Sequence, residues 1–87
     1  MRDVYGVAAF RSRQQVLRFE SALRQRGVPT QVVTTPRDIS MGCGLSVRFP
    51  LERLGEVRRA SATVNPGNLI GLYRAEYDGR RLRVTRA

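Results

Sequence analysis

Residues 4 to 10 read VYGVAAF, seven residues with no charged or amide side chain among them. The run is far shorter than the ~18 residues of a membrane span. It is too uniform for a strand with one wet face, which would alternate apolar and polar residues. It therefore predicts a central strand covered on at least one face, and the rest of the chain must supply the cover. With 87 residues in all, one domain over 1–87 is expected. A domain of that size buries about 60–65% of its unfolded surface, enough for two helices on a sheet and little more.

The remaining pattern supplies those elements. Ser12, with Gln15 three residues on, opens a helix as in a capping box. Val16, Phe19, Ala22 and Leu23 fall on one arc of it, and Glu20 and Arg24 form an i,i+4 pair on the other side. Gly27 stops the helix and Pro29 prevents its continuation. Thr30 to Thr35 is β-branched and predicts a second strand. After the irregular PRDISMGCG, Leu45 to Phe49 alternates as a third strand, with Ser46 and Arg48 on its other face. Pro50 suits the first turn of a second helix, on which Leu51, Leu54, Val57 and Ala60 keep helical spacing. Glu52 early and Arg58 and Arg59 late complement its dipole. Residues 65–68, NPGN, predict a loop, Leu69 to Tyr77 a fourth strand, and Asp78-Gly79 a hairpin turn into a strand over Arg81 to Arg86.

Strand, helix, strand, strand, helix, strand predicts an α+β, ferredoxin-like βαββαβ two-layer sandwich. Its core covers residues 4–77, and an Arg-rich C-terminal hairpin strand, residues 78–87, is added to it. In that topology Cys43, the Arg11–Ser12–Arg13 segment and the Asn65–Asn68 loop share one end of the sheet.

The residue types exclude much chemistry. The net charge is +9, all sixteen basic residues are arginine, and histidine and lysine are absent. No imidazole base and no lysine Schiff base are available. One cysteine without histidine offers no zinc set, so no metal is expected. GCGLS lacks the Lys-Ser/Thr end of a phosphate loop and precedes a strand. A self-contained enzyme is not expected. The lone cysteine forms no internal disulfide, and Val4 to Phe10 is too short for a signal peptide, so the expected compartment is the cytoplasm, with no membrane partner.

Cys43 stands between Gly42 and Gly44, whose missing Cβ atoms leave the thiol open to close approach. Thr35 can cap a single helical turn with Pro36 first and Asp38 third. Arg37, and the start of the first helix with Arg11, Ser12 and Arg13, can favour the thiolate by positive charge, without a base.

The run TPRDISMGCGLSVRF, Thr35 to Phe49, resembles the signature of the selenium/sulfur carrier family of short bacterial proteins. The strand ending in Phe10, Ser12 opening a helix, Glu20 and Leu23 within it, and GLYR over Gly71 to Arg74 fit the same pattern. The resemblance covers about residues 4–76 and is specific in Thr35-Pro36-Arg37, Ile39-Ser40 and Cys43-Gly44. It implies a carrier, without turnover of its own, whose Cys43 bears sulfur or selenium as a persulfide or perselenide. Thr35, Pro36, Ser40, Gly42 and Gly44 would then shape access, and Arg37 would stabilise the anion. No cofactor is implied beyond the transient chalcogen. The implied partners are a desulfurase-like protein donor and a protein acceptor.

Two alternatives stay open. Cys43 also reads as a small buried apolar residue in a basic module that binds nucleic acid or protein. Tyr5, Tyr73 and Tyr77 read either as core or as an interface on a sheet. For Arg80, Arg81, Arg83 and Arg86, sequence favours a solvated edge that discourages sheet-to-sheet pairing, because no stacking motif accompanies them.

Overall fold

Strand β1 (Asp3–Phe10) lies at the centre of the sheet and is the reason both faces need cover. The computed structural model describes residues 3–39, 44–63 and 68–87. Helix α1 (Arg13–Gln25) follows β1, then strands β2 (Gln31–Thr34) and β3 (Leu45–Phe49). A 3₁₀ turn (Leu51–Arg53) leads into helix α2 (Leu54–Ser61), and strands β4 (Leu69–Tyr77) and β5 (Leu82–Arg86) close the chain. The protein is α+β, with two helices and one five-stranded antiparallel sheet in the order β2-β3-β1-β4-β5.

Ala8 and Phe10 of β1 point to the helices. They are buried with Val16, Phe19 and Leu23 of α1, Val57 and Ala60 of α2, Val47 and Phe49 of β3 and Leu72 of β4. The Phe10 and Phe19 ring centroids are 5.0 Å apart and tilted by 53°, a favourable edge-to-face geometry. The Phe49 ring lies over Gly6, where a Cβ would collide with it. Ser12 caps α1, accepting from the Gln15 N–H at 3.4 Å, and Glu20 meets Arg24 at 3.0 Å. Gly27 takes φ +81, the left-handed turn that ends the helix. Ala22 departs from expectation and is exposed. It lines a groove of about 370 Å³ between α1 and α2, beside Phe19 and Ala60.

The opposite face carries Val7 and Ala9 of β1 and Ala75 of β4, flanked by Tyr5, Tyr73, Leu82 and Val84. The segment after β2 folds back over this face as a strap. Its Ile39 is 7% exposed and packs with Val7, Ala9 and Ala75. The single turn expected after Thr35 forms, but without Thr35 as its cap. Residues Pro36–Ile39 make a single turn in which the Ile39 N–H donates to the Pro36 carbonyl at 3.0 Å. The Thr35 hydroxyl instead pairs with that of Ser46 at 2.7 Å. The pair with Ser46 takes the place of the cap, and the turn delivers Ile39 to the sheet, a burial worth about 2 kcal/mol. The strap also buries Ser46, which strand alternation alone would leave in solvent.

The β4–β5 hairpin turns through residues 78–81, with Tyr77 opposite Leu82 and Gly79 at φ +98. The Asp78 carboxylate accepts from the backbone N–H of Arg80 at 2.9 Å and of Arg81 at 3.1 Å. Those two bonds, with the nearby Arg83 charge, hold its pKa below the ordinary carboxylate value. A lowered carboxylate pKa adds stability above the unfolded value, and that stability is lost as pH falls through the folded value. The expected result is that the Arg80 and Arg81 amide resonances titrate together, at a pH below that of an unstructured aspartate. Asp78→Asn should remove this transition. A transition at the ordinary aspartate value would show that the two bonds do not form in solution.

Candidate functional site

Three connections meet at one end of the sheet. Ala9 pairs with Ser46, and Phe10 with Leu69, so β1 ends where β3 and β4 begin. The Arg11 N–H donates to the Asn68 carbonyl at 2.8 Å, tying the start of the α1 connection to the start of β4. The β2–β3 connection opens and closes at the same end. There the Thr35 N–H donates to the Gly44 carbonyl at 2.9 Å, continuing the β2–β3 ladder by one bond. With the Thr35–Ser46 hydroxyl pair, this clamps both ends of the loop that carries the cysteine. Gly44 has φ +87, a left-handed conformation that side chains rarely adopt.

Arg11, Ser12, Arg13, Gly44 and Asn68 are therefore neighbours at this end, as the topology predicts. Ser40, Gly42 and Cys43 lie outside the described residues, as do residues 65–67. The first turn of α1 holds no acidic residue, so the partial positive charge of the helix start adds to the exposed Arg11 and Arg13. An anion at this end meets a positive field. Arg37 is exposed on the strap and lines a cleft of about 270 Å³ with Pro36, Asp38, Leu82 and Val84.

A larger groove, about 590 Å³, opens at the other end of the sheet, between Tyr5, Arg48 and Pro50 on one side and Arg24 and Pro29 on the other. Its arginines are already engaged. Arg24 meets Glu20 at 3.0 Å, Arg48 meets Asp3 at 3.2 Å, and the Arg48 guanidinium stacks 3.8 Å over the Tyr5 ring. This groove therefore lies at the opposite end of the sheet from the starts of β3 and β4. No group of three metal-ligating side chains occurs among the described residues, and no helix of the structure is long and apolar enough to cross a membrane.

Two residues that hold the loop are not evident from periodicity. Ile39 anchors the strap; it stands in the family-like run from Thr35 to Phe49, but no helix or strand spacing marks it as buried. Ser46 clamps the loop from a strand position that alternation assigns to solvent.

Residues 5–65 match the family described as "Putative Se/S carrier protein-like". The matched segment runs from β1 past α2 and contains the whole connection from Thr35 to Gly44, Cys43 included; β4 and β5 lie beyond it. No curated protein and no solved structure matches the chain.

Proposed function

The chain belongs to the Se/S carrier protein-like family, and from that membership we propose that it carries one sulfur or selenium atom on Cys43, between a protein donor and a protein acceptor. The observation that carries this reading is the family match across the clamped loop in which Cys43 is the only thiol. The strand neighbour order supports reading β1 to β4 and the two helices as a ferredoxin-like unit, with β5 added at the β4 edge.

The chemistry asks little of the protein. The Cys43 thiolate attacks the outer sulfur of a persulfide on a desulfurase-like donor. The bond between the donor's two sulfurs breaks, a bond from Cys43 Sγ to the transferred sulfur forms, and the donor leaves as a thiolate. One sulfur–sulfur bond replaces another, so there is no net oxidation. A thiolate on the acceptor repeats the step and regenerates Cys43. Selenium follows the same path through a perselenide. No general base is needed once the thiolate is present, which suits a chain without histidine. Fixed positive charge takes that part: Arg11, Arg13 and the α1 start at the sheet end, and Arg37 on the strap.

Intact mass after incubation with a cysteine desulfurase and cysteine tests the reading. The expected product is the protein plus one sulfur atom, reversed by dithiothreitol and absent from Cys43→Ala. Alkylation of Cys43 at neutral pH should slow in Arg37→Ala and in Arg13→Ala, because the thiolate fraction falls. No mass gain in the wild-type protein would remove the carrier reading. Unchanged alkylation in both variants would remove the arginines' part in it.

A further inference from the structure

We propose that the β4–β5 hairpin, with the cleft beside it, binds single-stranded nucleic acid. Five arginines, Arg74, Arg80, Arg81, Arg83 and Arg86, accompany two carboxylates on this hairpin, Glu76 and Asp78. Both carboxylates are engaged: Glu76 meets Arg74 at 2.9 Å, and Asp78 is turned onto the backbone N–H groups of its own turn. Arg80, Arg81, Arg83 and Arg86 are all exposed. The surface is therefore a concentrated cation on a chain of net charge +9, and the chemistry it complements is a phosphodiester backbone.

Charge alone would also suit a guard against edge-to-edge pairing. Two observations speak against that role. The other free edge of the sheet, β2, is Gln-Val-Val-Thr and carries no charge, so this chain does not guard its edges with charge. The second observation is the shape of the strap side of the hairpin. Tyr77, 44% exposed, stands opposite Leu82. Leu82 and Val84 form one wall of the cleft of about 270 Å³, and Pro36, Arg37 and Asp38 form the other. On the same side, the Arg86 guanidinium lies 5.5 Å from the Tyr73 ring centroid. An exposed aromatic and an apolar slot with Arg37 and Arg86 beside them, on an edge strand whose other face carries Arg83, are parts that bind unpaired bases on a charged track. A duplex offers its bases only inside grooves, and a hairpin built into a sheet presents one face and an edge rather than a free ribbon. The hairpin falls beyond residues 5–65, while Pro36, Arg37 and Asp38 of the cleft lie within them, so Cys43→Ala is what separates this site from the thiol chemistry.

Anisotropy of labelled single strands of RNA and of DNA, each about ten nucleotides long, tests the proposal, with the corresponding duplex and polyglutamate as competitors. Four phosphate contacts predict a log–log salt slope of about −3 and a fall of about 50-fold in affinity between about 50 and 200 mM salt. Arg81→Gln with Arg83→Gln should bring the slope about 1.4 units nearer zero. Tyr77→Ser should weaken binding about tenfold without changing the slope. Arg18→Gln with Arg58→Gln, the same charge change on the exposed helix layer, should leave the slope as it was, and Cys43→Ala should bind like wild type. Tyr77, Arg18, Arg58, Arg81 and Arg83 are exposed, and circular dichroism checks that each variant folds. A preference for RNA or for DNA assigns the natural strand and supports the site either way. Absence of binding, displacement by polyglutamate at equal charge, tighter binding of the duplex, or equal effects of the helix-layer pair would each overturn it.

Discussion

Gly6→Ala is expected to destabilise the protein by about 3 kcal/mol, the upper end for overpacking a core. For a domain of this length that is a fall of roughly 15 °C in Tm. The Cβ of an alanine would enter the Phe49 ring. The ring cannot swing away, because Phe49 is buried among the residues of both helices and the sheet. The backbone cannot yield either, because Gly6 is paired on both sides, to Phe49 of β3 and Arg74 of β4. Urea denaturation with the double variant Gly6→Ala/Phe49→Leu isolates the cause. The smaller side chain should recover part of the loss, so the two changes together cost less than their sum. Strictly additive losses, or an unaltered Gly6→Ala protein, would show that the ring does not rest on this glycine.

Ile39→Asp is expected to release the strap. A carboxylate cannot stay among Val7, Ala9 and Ala75 without a partner. The turn would instead lift from the sheet, which limits the loss to what the strap contributes, about 2 kcal/mol for one buried isoleucine. Val7, Ala9 and Ala75 would then meet water, and binding of a hydrophobic dye such as ANS should rise while far-UV circular dichroism stays native. Ile39→Val keeps the contact, and should cost about 1 kcal/mol with no dye binding. Because Pro36, Arg37 and Asp38 form one wall of the cleft against Leu82 and Val84, the Asp variant should also lose single-strand binding. An Ile39→Asp protein of wild-type stability that binds no dye would mean that the strap does not pack on the sheet.

The elements themselves were legible because their causes are local. Leu45–Phe49 and Leu69–Tyr77 are strands over the very residues their alternation and flanking turns indicate. Ser12 caps α1 and Gly27 ends it for reasons contained within a few residues. The near-continuous apolar run at Val4 to Phe10 is the mark of a strand buried on both sides, and β1 is that strand. The family was legible too, since its signature, Thr35 to Phe49 with Cys43 inside it, is a contiguous string.

What escaped depends on which distant residues share a surface. Thr35 has the sequence of a helix cap, yet its hydroxyl goes to Ser46, eleven positions on, because β2–β3 pairing brings the two side by side. Ala22 lies on the apolar arc of α1 and is still exposed, at a groove that the spacing of the two helices creates. Tyr77 and the hairpin arginines stand out in the string only as separate features, and the cleft that Leu82 and Val84 form with the strap exists only in the fold. Backbone periodicity and caps are settled over three to five residues, within reach of pattern. Burial is settled by the whole sheet order, which brings together faces from distant segments and which no local pattern records.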